Sequence, residues 1–403
     1  MENFLPFFLV LFAGVFFSTA FKRLHLPWVV ALIVGGIVIG PHALNIFEIN
    51  ETIEFIGEIG LIFLMFMAGL ETKLSSFGRI KNGVFGLALI NGLVPLSVGT
   101  GIGFLLGYPL TTSVLVGIIF VSSSLAVVIP SLESTGLINM DLGRTIIAVA
   151  IVEDVLSLVM LSMFIQIINP SSNVPLPIFY ILLFSILLIL RWILPKIKWF
   201  FSHSISETTD LFQQEFRTVL VILIGTVISF ELLGLHPIIA GFFAGLVLSN
   251  SIKSQILMGK LRAISYGLFI PTFFVVVGAK TDIGVVFEAD GALLVVGAIV
   301  LGSMISKFVS GVAGGRLLGF SKRQSLLIGV SKIPQLSTTL AATFTGAKLG
   351  LLDEKLVTAM VVLSIVTTFV GPIFTRSLGE KEVLVGRAKF GTGNLSSVSV
   401  RNR

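Results

Sequence analysis

The sequence predicts an all-α polytopic membrane protein of about thirteen transmembrane helices, and three observations carry this prediction. The chain of 403 residues is 55% hydrophobic and only 12% charged, which is about half the charged fraction of a soluble domain. Its apolar runs repeatedly reach the roughly 20 residues that a helix needs to cross a bilayer. Its basic residues gather in alternate connections between these runs. We therefore expect no separate soluble domain.

The thirteen predicted spans follow one another with mostly short connections. The first is interpreted as a retained helix, because only Glu2 precedes it and a signal peptide begins with a basic segment. The spans are 3–21, 27–41, 53–71, 83–107, 111–131, 143–168, 175–194, 214–233, 236–250, 263–279, 291–314, 323–346 and 355–375. Residues 1–376 thus form the predicted transmembrane domain, and residues 377–403 form a short, polar cytoplasmic tail.

Lysine and arginine are distributed unevenly between the two sides of these spans. With the N-terminus outside, the inner loops, the span ends next to them and the tail hold 22 of the 27 basic residues, whereas the outer side holds Lys280, Lys348 and Lys355. Lys307 and Lys332 remain within spans. Cytoplasmic loops carry the basic excess in membrane proteins. The pattern predicts a multi-pass protein of the cell membrane with the N-terminus outside and the C-terminus inside, and it explains the net charge of +6 without a nucleic-acid partner.

Several kinds of chemistry are not expected from this sequence. It contains no cysteine, so thiol chemistry, disulfides and cysteine metal sites are excluded. No phosphate-binding glycine fingerprint follows a predicted strand, so we expect no nucleotide and no cofactor. We also expect no enzyme: an intramembrane aspartyl protease needs two facing aspartates that share a proton, and Asp154 is the only aspartate in the middle of a span. The histidines lie in loops or at span ends and do not fit an intramembrane ion carrier; they are His25, His42, His203 and His236.

The two halves of the chain resemble each other at a nearly constant offset. The matching segments are 26–41 with 235–250, 60–74 with 267–283, and 113–118 with 325–330. A single connecting helix at 175–194 separates repeat one (1–170) from repeat two (211–376), so the two repeats have opposite orientations in the membrane. Inverted six-helix repeats of this kind are the plan of many secondary transporters.

Each repeat carries a polar or proline-containing interruption at a matching place. Ser122–Ser124 interrupt the fifth span, with Pro130 after them, and Pro334 and Gln335 interrupt the twelfth. Proline lacks an N–H donor and clashes with the preceding turn. Broken helices at matching positions of two repeats point to an ion site near the bilayer midplane. We predict two broken helices that supply ligands; the alternative is that the serines only allow close helix packing.

Glu153 and Asp154 are adjacent carboxylates in the middle of an apolar span. A charge at this depth costs about 2.5–3.5 kcal/mol even on the lenient insertion scale, so packing alone does not explain the pair. Adjacent helical residues point about 100° apart, so one carboxylate can face an ion cavity while the other faces a neighbouring helix. A carboxylate in a wet cavity binds a proton or a hard cation, but not both. Alternating access to such a carboxylate would be sufficient for antiport.

A cationic partner for Glu153 is expected within the membrane. Lys307 in the eleventh span is the first candidate, and Lys332, just before Pro334, is the second. The simpler interpretation of either lysine is a side chain that extends to the membrane surface. The residues alone do not decide between the two lysines.

Four motifs in order resemble the monovalent cation:proton antiporter-2 family over about residues 5–376. The motifs are GGIVIGP, GLIFLMFMAGLET, AIVEDVLSLVML and GLFIPTFFVVVGAKTD. The resemblance implies a sodium/proton antiporter fold and a homodimer in which each protomer has a scaffold domain and a mobile, elevator-like core domain. It further implies that Asp154 is the ion-binding aspartate and Na⁺ ligand, and that Glu153 is paired with Lys307. Ser122–Ser124 match the polar break of the first crossing helix.

Two departures from the family pattern bear on the ion. The family commonly has Asp-Asp, frequent in sodium exchangers, or Gln-Asp, frequent in potassium-efflux systems, where this chain has Glu153-Asp154. Many members have Arg-Gly-Glu where this chain reads Gln335-Leu336-Ser337. Because Glu153 keeps the charge, we expect exchange of Na⁺ or Li⁺ for H⁺. K⁺/H⁺ exchange is the alternative, although the segment 377–403 is too short for the nucleotide-binding domain that many potassium-efflux members carry. An ion sensor that does not transport is less favoured.

Overall fold

The computed structural model is helical in every regular element of the residues that it describes. These are 4–23, 28–46, 48–71, 82–168, 185, 210–232, 237–249, 252, 254–288 and 291–391. Eight helical stretches in these ranges are long and apolar enough to cross a membrane. The predicted connecting helix at 175–194 lies almost wholly outside the described residues, as does the tail after residue 391.

The described helices cover twelve of the thirteen predicted spans, the seventh lying outside. They are α1 (Phe4–Arg23), α2 (Trp28–Ile39), α3 (Glu51–Glu71), α4 (Asn82–Leu105), α5 (Leu110–Val121), α6 (Leu125–Thr135), α7 (Asp141–Ile168), α8 (Asp210–Leu232), α9 (Pro237–Leu248), α10 (Gln255–Ile264), α11 (Ile270–Ala279), α12 (Gly284–Glu288), α13 (Ala292–Leu317), α14 (Lys322–Ser331), α15 (Ser337–Lys348) and α16 (Glu354–Gly391). A π-helical segment, Ser265–Phe269, joins α10 to α11, so these form one continuous rod.

The helices pack as two groups. The scaffold group consists of α1–α3 and α8–α11, whereas the core group consists of α4–α7 and α13–α16. Short α12 connects them along the chain. Apolar side chains fill the boundary: Leu340 and Ala341 of α15 belong to the same buried cluster as Phe273 of α11. The boundary between the two groups therefore consists largely of packed hydrocarbon.

Glycines bring the scaffold helices into backbone contact, and they do so twice in the same way. A Cβ added to Gly36 of α2 would lie 2.1 Å from the carbonyl oxygen of Val275 in α11. A Cβ added to Gly245 of α9 would lie 2.1 Å from the carbonyl oxygen of Phe66 in α3. Gly36 and Gly245 occupy the same place in the first pair of repeated segments, and Phe66 and Val275 lie in the second pair. The internal repeat of the sequence is thus matched by equivalent contacts.

Candidate functional site

The first helix break is formed by the three serines in the fifth span. Helix α5 ends at Val121, Ser122 and Ser124 have extended backbone angles, and α6 begins at Leu125. Pro130 lies inside α6, so it takes no part in the break. Serine favours such a position because its hydroxyl competes for backbone partners.

The second break lies between α14 and α15. Helix α14 ends at Ser331, Lys332 is its C-cap, and α15 begins only at Ser337. The Pro334 ring packs against α16 at Gly371, where an added Cβ would lie 2.2 Å from its Cγ. Both predicted interruptions are therefore real breaks.

The two breaks contact each other directly. The N–H of Ser124 donates to the carbonyl oxygen of Pro334 at 2.9 Å. The Gln335 Nε2 donates to the carbonyl oxygen of Phe120 at 3.0 Å, and the hydroxyls of Ser122 and Thr339 lie 2.8 Å apart. Each broken helix thus satisfies backbone groups that the other leaves without an intrahelical partner. The two helices cross at their interruptions.

Asp154 of α7 faces this crossing. Its Oδ1 accepts a hydrogen bond from the Ser123 N–H at 3.2 Å and lies 3.4 Å from the Thr338 hydroxyl. Its side chain is buried, with 5% exposure. Ser123 and Thr338 sit at the N-terminal ends of α6 and α15, where unpaired N–H groups and the helix dipole favour an anion. The crossing therefore directs two positive helix ends at one carboxylate.

Hydroxyl oxygens of the kind that a hard cation accepts occur in both helix breaks that meet at Asp154. The hydroxyls of Ser123 and Ser124 are buried without a hydrogen-bond partner among the described residues, and Thr338 adds a third hydroxyl. Hard cations prefer carboxylate, carbonyl and hydroxyl oxygens. No cluster of three or more acidic, histidine or cysteine side chains suited to a metal occurs in the part of the chain that the structure describes. A single carboxylate with hydroxyl groups is a donor set of the kind that hard cations accept.

Glu153 turns away from Asp154 and forms ion pairs with both candidate lysines. Its Oε2 lies 3.6 Å from the Nζ of Lys307 of α13, and its Oε1 lies 3.5 Å from the Nζ of Lys332. All three side chains have 0% exposure. Lys307 also donates to the Val121 carbonyl at the C-terminus of α5, where the helix dipole favours a cation. Lys332 donates to the Ile146 carbonyl of α7 at 3.1 Å.

Two polar residues of this region were not identified from the sequence. Thr338 approaches Asp154, and the signal for it was the Ser-Thr-Thr run directly after the second break. Asn91 of α4 is fully buried, and neither atom of its amide has a partner among the described residues. Helix α4 packs against α7 and α13, the helices that carry Glu153 and Lys307. A lone amide in an apolar span was its only sequence signal.

Two cavities lie along the boundary between the helix groups, one towards each end of the bundle. The larger, about 900 Å³, borders the first turns of α6 at Leu125 and Ala126 and is lined by Glu71 and Arg262 of the scaffold group. The smaller, about 440 Å³, borders the C-terminal half of α15 at Phe344. Leu125, which follows Ser124, lines the larger cavity. The larger cavity therefore lies closer to the helix crossing than the smaller one does.

The sequence of this chain is similar to those of known proteins. The family described as "Sodium/hydrogen exchanger, transmembrane" matches residues 7–381. The chain is 30% identical over 384 residues to the probable Na⁺/H⁺ antiporter 3 of Methanocaldococcus jannaschii, covering 94% of this chain and 97% of that protein. It is 28% identical over 382 residues to the Na⁺/H⁺ antiporter of Enterococcus hirae, covering 93% and 97%. It is 27% identical over 373 residues to the Na⁺/H⁺-K⁺ antiporter GerN of Bacillus cereus, covering 91% and 94%.

A solved structure has the same fold. The sodium proton antiporter MjNhaP1 of M. jannaschii aligns with a TM-score of 0.69 at 20% identity, covering 94% of this chain and 99% of that one. The expected antiporter fold with broken crossing helices is thereby confirmed. The family match is broader than the antiporter-2 subdivision that the motifs resemble, so that narrower assignment stays a prediction.

Proposed function

Because the chain belongs to the sodium/hydrogen exchanger family, we propose that it exchanges Na⁺ or Li⁺ for H⁺ across the membrane by alternating access. Asp154 is the carrier group. The observation that carries this proposal is the placement of Asp154 at the crossing of two broken helices. There it accepts a hydrogen bond from the Ser123 N–H, in a break where the hydroxyls of Ser123 and Ser124 are buried and unpaired among the described residues. The cation and the proton compete for the same carboxylate, so only one of them crosses at a time.

The mechanism needs the core group to move relative to the scaffold group. Asp154, both breaks and both lysines belong to the core group, so they travel as one unit. The two cavities, one towards each end of the boundary, are the openings through which Asp154 would reach each membrane face in turn. Glu153, held by two lysines, keeps α7, α13 and α14 together during this movement. A loaded carboxylate crosses because its charge is balanced by the bound cation or proton.

Sodium is favoured over potassium as the exchanged cation. Two of the relatives described above are named Na⁺/H⁺ antiporters, and the ionisable residue before Asp154 agrees with the sodium pattern. Potassium exchange is the second candidate, because the relative GerN is named a Na⁺/H⁺-K⁺ antiporter.

The proposal includes a homodimer in the cell membrane, with the N-terminus outside and the C-terminus in the cytoplasm. The orientation is supported by the 22 basic residues on the predicted inner side. The dimer is supported by the family resemblance.

The test is exchange in proteoliposomes that contain a pH-sensitive dye. A pH gradient is imposed, and Na⁺, Li⁺ or K⁺ is then added. We expect Na⁺ and Li⁺ to collapse the gradient in the wild type but not in Asp154→Asn. Asp141→Asn is the matched control, because Asp141 is an exposed aspartate on the same helix, and it should exchange normally. Wild-type rates in Asp154→Asn would refute the carrier role, and a response to K⁺ alone would move the protein to the potassium branch.

A further inference from the structure

The ion site contains one more lysine than the pairing of Glu153 requires. Glu153 carries a single negative charge, yet Lys307 and Lys332 both approach it from different helices, at 3.6 and 3.5 Å. Lys332 reaches it because α14 stops at Ser331 and the C-cap turn directs the lysine towards α7. One lysine is enough to neutralise the single charge of a buried carboxylate. The second lysine therefore has a charge that Glu153 does not neutralise.

The charges at the crossing balance only when Asp154 is counted with them. Lys307 and Lys332 contribute two positive charges, and Glu153 and Asp154 contribute two negative ones. Asp154 interacts electrostatically with both lysines and with Glu153. Burial makes each of these interactions stronger than it would be in water. The surplus lysine charge thus opposes the binding of a further cation at Asp154.

We propose that Lys332 determines how strongly Asp154 binds its cation, through the surplus positive charge that it adds to the Glu153 pair. Lys332 does not contact the ion; it acts as an affinity-determining residue that weakens cation binding and so allows release. This inference rests on the proposed sodium/proton exchange. A unit charge about 10 Å from a bound ion, at an effective dielectric constant of about 20, changes the affinity by roughly tenfold.

Charge-neutralising variants, alone and combined, separate this effect from a structural one. Lys332→Gln removes the surplus charge and keeps an N–H donor for the Ile146 carbonyl. Glu153→Gln removes the negative charge and leaves both lysines. The double variant Glu153→Gln/Lys332→Gln restores the charge balance of the wild type. Lys322→Gln is the matched control, because Lys322 is an exposed lysine at the start of α14, the helix that Lys332 caps.

The measurement is the KM for Na⁺ and the kcat in proteoliposomes at an alkaline pH, where competition from protons is weakest, together with direct binding of radioactive Na⁺. We expect Lys332→Gln to lower KM about tenfold and to lower kcat because release is slower. Glu153→Gln should raise KM about tenfold, and the double variant should return to within about threefold of the wild type. Lys322→Gln should leave both constants unchanged.

Two results would overturn the inference. One is an unchanged or raised KM in a folded Lys332→Gln protein. The other is equal KM values for Glu153→Gln and the double variant, and this comparison decides the matter if Lys332→Gln alone does not fold. If Glu153→Gln binds no Na⁺, restored Na⁺ binding in the double variant supports the inference. If the double variant also binds no Na⁺, the inference is overturned. Failure of the wild type to exchange Na⁺ would instead refute the proposed function itself.

Discussion

At the scale of single residues, the adjacent carboxylates have different partners because a helix directs neighbouring side chains about 100° apart. Glu153 faces Lys307 and Lys332, whereas Asp154 faces the helix crossing. Glu153 is thus saturated by cations within the protein. Among the described residues, Asp154 has only neutral donors in hydrogen-bonding distance, so its second oxygen is available for an ion.

Thr338 is expected to contribute a ligand to the cation beside Asp154. Replacement by Val keeps the shape of the side chain and removes the hydroxyl that lies 3.4 Å from Asp154 Oδ1. We expect Thr338→Val to raise the KM for Na⁺ about tenfold, since a lost bond to a charged group costs about 1.5 kcal/mol or more. The measurement is the Na⁺ dependence of dye recovery in proteoliposomes.

Thr343→Val provides the comparison for that experiment. Thr343 is also buried on α15, and its hydroxyl donates to the Thr339 carbonyl of its own helix at 2.7 Å. Its KM should stay at the wild-type value. Equal KM values for the two variants would mean that Thr338 is a packing residue and not a ligand.

At the scale of helices, the sequence predicted where the helices break better than it predicted which side chains meet around the breaks. Serines and a proline interrupt apolar runs visibly, so Ser122–Ser124 and Pro334 marked both breaks correctly. Both lysines were candidate partners of Glu153, but the sequence could not show that both approach it at once. The C-cap turn that brings Lys332 to Glu153 is a three-dimensional feature that no local pattern records. Asn91 was missed because a single amide in an apolar run does not show which helices will bury it.

The scaffold helices depend on glycine at equivalent positions of the two repeats. A methyl group at Gly36 or Gly245 would lie 2.1 Å from a carbonyl oxygen of the facing helix, which is too close for any side chain. We expect Gly36→Ala and Gly245→Ala to destabilise the protein by about 1–3 kcal/mol each, because overpacking forces the helices apart. The measurement is thermal unfolding in detergent.

Gly225→Ala is the control for both scaffold variants. Gly225 lies within α8, and a Cβ added there would meet nothing within 4 Å. Since alanine is the better helix former, this variant should be as stable as the wild type or more so. A melting temperature of Gly245→Ala equal to that of Gly225→Ala would contradict the role assigned to the close contacts.

At the scale of the whole molecule, the two helix groups meet mainly through apolar packing. Packed hydrocarbon can slide without leaving a buried polar group unpaired, whereas a polar boundary would resist movement. An ion pair crosses this boundary beside the smaller cavity: Lys348 at the end of α15 contacts Glu58 of α3. The proposed mechanism requires this pair to separate in each transport cycle.

Cross-linking tests this requirement, and the absence of native cysteine makes the chain suited to it. Glu58→Cys/Lys348→Cys joins the scaffold group to the core group when treated with a short bismaleimide. Tyr108→Cys/Asp353→Cys is the matched control, because both residues belong to the core group and the Tyr108 hydroxyl donates to Asp353 Oδ2 at 3.1 Å. We expect the first cross-link to stop Na⁺-driven proton movement and the second to leave it intact, since only the first fixes one group against the other. Continued exchange in protein fully cross-linked between positions 58 and 348 would exclude a relative movement of the two groups and require transport through a stationary core.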